Sequence, residues 1–440
     1  MTGMRSWLVL AVVSTWFSFS ACNCLSTRGP AESSGNRVEV TVPEGMRAPP
    51  FDTTRTLYVP PGYTLSVFAR VPEARFMAVA PNGDVLVSQP DQGKVKLVRP
   101  RPGQPPEVFD WATSLRRPHD IVFHTQGDTT WVYVAESQQV TRSPWTPGET
   151  KRQAATLLVR GLPDSSLPEL KGNYGHELKN LAVDSTGRLY VSIASTCNVC
   201  LSDTQSTPMR AALYRYAPDG SDGQIFARGL RNAEGLAFLP GTDTLWVTVN
   251  GRDNTPYPLD DTTGQYGKVI PEYVDNHPPE ALTHVREGGH YGWPFCNPNP
   301  DSPSGLKQMP LDRDYDMNRD GNMLDCETLD RIDQGIQAHS APLGLAFLQG
   351  TTFPAPYSSG VVVAYHGSWN RTRRTGYKVV HFPWNAASQQ PTQETELVSG
   401  WVSADGQDVW GRPVDVAVTA DGGLLISDDE AGALYLLRKQ

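Results

Sequence analysis

The feature that most constrains this chain is one phrase that occurs six times: an alternating apolar strand, a Gly- or Asp-containing turn, and a second alternating strand. The copies are Met77-Ala-Val-Ala-Pro-Asn-Gly-Asp-Val-Leu-Val, Asp120-Ile-Val-Phe with Trp131-Val-Tyr-Val, Asn180-Leu-Ala-Val-Asp-Ser-Thr-Gly-Arg-Leu-Tyr-Val, Gly235-Leu-Ala-Phe with Leu245-Trp-Val, Gly344-Leu-Ala-Phe with Gly360-Val-Val-Val-Ala, and Asp415-Val-Ala-Val-Thr-Ala-Asp-Gly-Gly-Leu-Leu-Ile. Period-two alternation sends successive side chains to opposite faces of a strand, so each copy starts a hairpin. Most copies are followed by a third alternating strand, such as Lys94-Val-Lys-Leu-Val, Ala212-Leu-Tyr-Arg-Tyr, Tyr377-Lys-Val-Val-His-Phe and Ala433-Leu-Tyr-Leu-Leu. Hairpin units at intervals of roughly 45 to 70 residues, with one longer gap, predict an all-β, six-bladed β-propeller. The early strand Tyr63-Thr-Leu-Ser-Val-Phe can complete the last blade and so remove an exposed sheet edge. A pair of β-sandwiches is the competing arrangement, but six cognate hairpins without a break in composition favour one ring over residues 53–440. The gap at about residues 252–342 reads as a long insertion between the fourth and fifth blades, over one face. The 39 Gly and 37 Pro agree with this, since they cost about 1 and 3 kcal/mol respectively inside a helix.

Charge narrows the partners. The formal net charge is −9, and Lys and Arg are not clustered, which excludes a nucleic-acid partner that would need cations to displace counterions. Residues Met1 to Ala21 combine Arg5, the apolar run Trp7 to Phe19 and the small pair Ser20-Ala21, the pattern of an export signal. Phe19-Ser20-Ala21-Cys22 resembles a bacterial lipobox with Phe in place of Leu, which implies a lipid anchor on Cys22 and an exported, cell-envelope location. Plain secretion and a retained anchor are the alternatives. Residues 22–52 read as a tether. Beyond Cys22 and Cys24, the cysteines Cys197, Cys200, Cys296 and Cys326 permit three pairings, of which Cys197–Cys200 and Cys296–Cys326 are favoured. The Cys-Asn-Val-Cys pair lacks a partner pair for zinc and a following His for haem, so a structural disulfide is the blander reading.

Inside the predicted insertion, Asp316-Met-Asn318-Arg-Asp320-Gly321-Asn322-Met-Leu-Asp-Cys-Glu327 matches the twelve-residue calcium-loop pattern at its fixed positions. Short oxygen-bearing side chains at alternate positions can share one cation, Gly321 permits the sharp turn, and Glu327 can supply two oxygens. A solvated acidic loop is the alternative, because no flanking helix pair is evident.

Several further phrases, in order along the chain, resemble the pyrroloquinoline quinone (PQQ)-dependent glucose/sorbosone dehydrogenases, especially the L-sorbosone dehydrogenase-like branch. They are Pro118-His-Asp-Ile-Val-Phe, Gly175-His176-Glu-Leu-Lys-Asn with Ser195-Thr-Cys-Asn-Val-Cys200, Gly229-Leu-Arg231-Asn232-Ala-Glu-Gly, Gly289-His-Tyr-Gly-Trp-Pro294, Ala338-His-Ser-Ala-Pro-Leu-Gly344, and Tyr365-His-Gly-Ser-Trp-Asn-Arg371. The resemblance implies PQQ over the central tunnel on a calcium ion, with His176 as catalytic base. Arg231, Asn232 and Asn250 are the implied cofactor contacts, with Arg412, His339, His366, Arg371 and His119 as further candidates. The carbonyls of Gly251 and Arg252 are the implied calcium ligands. An imidazole, neutral at pH 7, suits removal of a hydroxyl proton. The implied substrate is a sugar or sugar aldehyde, sorbosone-like or aldose. Electrons would pass to an external acceptor, a quinone or cytochrome, since no haem motif is present. Two departures stand out: Gly175 replaces the aspartate that precedes the catalytic histidine in the glucose dehydrogenase branch, and the cofactor lysine of that branch has no clear match. A calcium-dependent propeller lactonase and a non-catalytic binding propeller are the competing readings of the fold.

Overall fold

In the computed structural model the described residues are 35–403 and 405–440, so the export signal, Cys22 and Cys24 lie outside them. Each repeated phrase forms the two inner strands of a four-stranded antiparallel blade. The innermost strands are Met77–Val79, Ile121–Gln126, Leu181–Val183, Asn232–Phe238, Pro342–Phe347 and Pro413–Val418. Each lies against the innermost strands of the two flanking blades, which closes a six-membered ring around a tunnel. The last blade is completed by Tyr63–Arg70, which pairs antiparallel with Ala433–Lys439. Joining the two ends of the chain in one sheet leaves no open seam in the ring.

Buried hydroxyls couple the blades. Thr248 Oγ1 accepts from Gly235 N at 2.8 Å and donates to Leu343 O of the next blade at 2.6 Å. Ser427 repeats the arrangement between Asp415 N and Arg75 O, at 3.0 and 2.6 Å. Ser192 likewise donates to Ala233 O at 2.7 Å. Two buried carboxyls do similar work: Asp120 accepts from Leu181 N at 2.7 Å and Asp415 from Met77 N at 2.8 Å. Satisfied in this way, buried polar groups set the rotational register of neighbouring blades at little net cost. Close approach explains the glycine that opens the fifth copy: within the innermost strand Pro342–Phe347, a Cβ on Gly344 would meet Asp415 Oδ1 at 1.8 Å.

Two expectations are corrected. The long stretch between the fourth and fifth hairpins is not an insertion between blades. It contains the outer strands of blade four, Glu280–Val285 and Gln334–Ile336, and the extra chain is split into excursions at 251–279 and 286–333 within that blade. Gln334–Ile336 has three residues with a Gly at its centre, and Glu280–Val285 follows Pro278-Pro279 without strict alternation, so they carry little periodic signal. The expected tether is also shorter than 22–52, because Asn36–Glu39 pairs with Thr56–Val59, which joins blade five at Ser399. Phe51 is 1% exposed, packed on Trp410 and Tyr435 and under the Arg70 guanidinium. The alternation Val38, Val40, Val42 was the available signal for this added edge. Both favoured disulfides are present, Cys197–Cys200 and Cys296–Cys326.

Candidate active site

In an up-and-down blade the loop entering the innermost strand and the loop leaving the second strand lie at the same end of the sheet. The predicted site residues occupy these two positions: His119, His176, Arg231, His339 and Arg412 enter innermost strands, while Asn250 to Arg252 and His366 to Arg371 leave second strands. One tunnel mouth therefore collects groups that are up to about 300 residues apart in sequence.

His176 is partly exposed, and its Nδ1 lies 2.8 Å from Ser195 O and 3.1 Å from Ser195 Oγ. A backbone carbonyl only accepts, so Nδ1 carries the hydrogen and Nε2 of the neutral ring keeps its lone pair. Ser195 Oγ in turn donates to Cys197 O at 2.8 Å, and Ser195 N donates to Arg231 O at 2.8 Å. The ring is thus oriented by a main-chain carbonyl and a hydroxyl, since Gly175 offers no side chain. Burial, and then the nearby Arg231 charge, push the His176 imidazole down to about 4.

Beside it lies a carboxylate that sequence reasoning passed over. Asp253 contacts Arg231 Nη2 at 3.3 Å, Asn370 Nδ2 at 3.1 Å and His339 Nδ1 at 3.5 Å. Burial opposes its ionisation, but His339 and Arg231 hold it below the ordinary carboxylate range. The other nitrogen of His339 faces Val274 O at 2.8 Å, and His339 has a φ of +64°, an uncommon left-handed conformation for a non-glycine residue. The position of Asp253 directly after the named pair Gly251-Arg252 was the one signal available.

Two further groups complete the rim. Asn232 Nδ2 donates to Glu234 Oε1 at 2.9 Å and lies 3.4 Å from Asn250 Oδ1. Glu234 also meets Nε2 of His119, which is fully buried and packs against Phe76 with ring centroids 4.4 Å apart. On the opposite side, His366 Nε2 is 2.9 Å from Asp429, which also pairs with Arg75 at 2.7 Å. Arg412 donates to His366 O and Gly367 O at 3.0 and 3.2 Å, and Arg371 to Ala338 O at 3.3 Å. Arg75, Arg117, Arg412 and Asp429 share the wall of a cavity of about 320 Å³.

The calcium-loop reading of 316–327 is not supported by where its side chains go. Arg252, 3% exposed, pairs with the buried Asp314 and with Asp316 at 3.1 Å, so a guanidinium already neutralises this turn. Asn318 Oδ1 accepts from Met323 N and Leu324 N at 3.1 and 3.3 Å, and its amide donates to Leu324 O at 2.7 Å. Asp320, Asn322 and Glu327 are exposed. Among the described residues, the group of His, Cys, Asp or Glu close enough to share an ion is Cys197, Cys200 and Asp203, and both of those cysteines are in a disulfide. The motif matched because a turn rich in Asp and Asn has the same composition whether it folds around a cation or around its own backbone amides. By contrast, the carbonyls of Gly251 and Arg252 accept no hydrogen bond from the described residues. The Arg252 guanidinium points away from these carbonyls into the excursion, toward Asp314 and Asp316.

Fold and site together define a six-bladed propeller with a polar tunnel mouth built from all six blades around a neutral histidine. Residues 57–440 match the TrAA12-like family, and the chain belongs to that family. An uncharacterised protein of Borreliella burgdorferi is 22% identical over 397 residues, spanning 87% of this chain and 91% of that one. A pyrroloquinoline quinone-dependent pyranose dehydrogenase of Coprinopsis cinerea is 31% identical over 120 residues, which is 24% of this chain and 16% of that protein. The holo PQQ domain of a Coprinopsis cinerea pyranose dehydrogenase superposes with a TM-score of 0.71 at 19% identity, covering 87% of this chain and 97% of that domain. The apo soluble aldose sugar dehydrogenase of Escherichia coli gives 0.59 at 15% identity, covering 86% and 100%. These structures share the propeller fold.

Proposed function

We propose that this protein is a PQQ-dependent dehydrogenase that oxidises a sugar or sugar aldehyde, aldose or sorbosone-like, and passes electrons to an external acceptor. The observation that carries the reading is the neutral His176, with Nδ1 tied to Ser195 and Nε2 left to act as a base. Relatives and structural neighbours named as PQQ-dependent sugar dehydrogenases support it.

The residues present fit the cofactor. Where innermost strands begin, three buried polar atoms have no partner among the described residues: His119 Nδ1, Asn180 Nδ2 and Ser340 Oγ. Unpaired groups at such a position cost about 1–3 kcal/mol each unless a ligand or water meets them. Arg75, Arg117 and Arg412 offer guanidinium forks for a polycarboxylate, Arg231 and Asn232 offer donors for quinone oxygens, and the free carbonyls of Gly251 and Arg252 suit a calcium ion. When bound, PQQ supplies a two-electron acceptor for the hydride that leaves the sugar carbon. The chain's own contribution is proton removal and alignment. His176 Nε2 takes the hydroxyl proton, Arg231 and Asp253 fix polar groups beside it, and Trp369, 73% exposed next to Asn370, presents an aromatic face at the rim. Export as an envelope lipoprotein through Cys22 belongs to the same proposal and is checked by mass spectrometry of the amino-terminal peptide for a lipid adduct.

The test is reconstitution of apoprotein with PQQ and calcium, then dye reduction across a panel of sugars; absence of cofactor binding by absorbance titration sinks the reading. A pH profile adds a second check. Because the imidazole must be neutral to act and sits near 4, the acidic limb of kcat/KM is expected near pH 4 instead of 6.5. Below it protonation removes the base, and activity falls about tenfold per pH unit.

A further inference from the structure

We propose that Asn198, held inside the Cys197–Cys200 loop, is the positioning residue that sets Arg231 and Asp253 at the tunnel mouth. Five hydrogen bonds converge on this one residue. Its main-chain oxygen accepts from Arg231 Nε and from Trp293 Nε1, both at 3.1 Å. Its side-chain oxygen accepts from Arg231 Nη2 at 3.2 Å and from Asp253 N at 2.7 Å, while its amide donates to Asp253 O at 2.7 Å.

These partners come from three separate segments: the start of the innermost strand of blade four, the end of its second strand, and its second excursion. Asn198 belongs to none of them, since it lies in blade three. A buried arginine and a part-buried aspartate at 3.3 Å could settle into several geometries of similar Coulomb energy. A planar amide that grips the side chain of one and the backbone of the other selects one geometry, because its donor and acceptor directions are fixed. The disulfide is what makes Asn198 rigid enough for this. It closes a four-residue loop, and the loop is further tied down where Thr196 N and Thr196 Oγ1 donate to the buried Asp203 at 2.7 and 2.9 Å. The same loop holds the base, because Cys197 O accepts from Ser195 Oγ. The Cys-x-x-Cys phrase therefore has a task that neither zinc, haem nor thiol chemistry supplies.

The inference rests on the proposed function only for its cofactor readout, so the test carries a readout that does not. Asn198→Ala removes the three side-chain bonds and leaves the main-chain pair. Expected are about a tenfold or greater loss of PQQ affinity in calcium-containing buffer, read by absorbance titration, and a thermal midpoint close to wild type. The His176 imidazole, followed by NMR in protein without cofactor, is expected to titrate at higher pH as Arg231 moves away from it. Asn198→Asp keeps both acceptor bonds but sets a carboxylate oxygen against Asp253 O where the amide donated, so only part of the affinity is expected to return. The double variant Cys197→Ser/Cys200→Ser leaves Asn198 in place but frees the loop, and is expected to shift His176 in the same direction; it also serves if Asn198→Ala does not fold. Unchanged His176 titration in both variants overturns the proposal. If wild-type protein binds no PQQ, the dehydrogenase reading fails, and the His176 titration still decides the role of Asn198.

Discussion

Replacing His176 by Gln is expected to cut sugar-dependent dye reduction by about 10²–10⁴-fold while leaving PQQ binding and the thermal transition near wild type. That range is the usual contribution of a positioned general base. The expectation follows from geometry: Nδ1 is committed to Ser195, burial and Arg231 hold the ring neutral, and Nε2 is left to take a proton. A glutamine amide offers no base of comparable strength, yet it is polar and similar in reach, so the pocket is retained. Ser195→Ala should act more gently, since the main-chain carbonyl remains, and a loss of about tenfold or less in kcat is expected from one hydrogen bond. Steady-state kinetics with matched absorbance titrations separate the two effects. A Gln variant within tenfold of wild type would remove His176 from the chemistry.

The second large effect is on stability. Arg252→Met is expected to destabilise the protein by about 3–5 kcal/mol, because it leaves the buried Asp314 carboxylate without its guanidinium partner. Asp314 would keep the Asn297 amide at 2.8 Å and the backbone N–H groups of Asp316 and Met317, both at 3.0 Å, but none of these carries a charge. Denaturant unfolding gives the number. The companion double variant Arg252→Met/Asp314→Leu should recover much of the loss, as expected where an isolated buried charge is the cause. Chelation provides the contrast: stripping calcium is expected to weaken PQQ retention without loosening the 311–327 turn, as hydrogen exchange in that segment can measure. A calcium-dependent change in exchange there would restore the calcium-loop reading.

How much of this was legible beforehand depended on the range of the interactions involved. Strand alternation and turn residues are local, so the six hairpins and the closing strand Tyr63–Arg70 could be read from the text. Short or irregular strands carry too few residues for a period. For that reason the outer strands of blade four read as an insertion in the sequence, and Val38, Val40 and Val42 read as part of a tether. His176, Arg231 and Arg412 were found through phrases that resemble a known family. Asp253, Asn198 and Asp429 escape a local reading: beyond the place of Asp253 after Gly251-Arg252 and of Asn198 inside the Cys-x-x-Cys phrase, they look like other polar loop residues. Their roles come from partners far away, such as Asn370 on Asp253 across 117 positions and His366 on Asp429 across 63.

The calcium-like loop shows the same limit from the other side. Its residue pattern is compatible with a cation, but which charge neutralises Asp314 and Asp316 is decided by a guanidinium more than sixty positions earlier. Sequence by itself determined the ring: period-two patterning repeated six times can bury its apolar faces only by stacking blade on blade, and the chain ends supply the last sheet. Tertiary structure alone decided which polar groups meet at the tunnel mouth, which histidine nitrogen is free, and where the charges are paired. Those outcomes depend on distances of about 3 Å between residues that the chain itself does not place near one another.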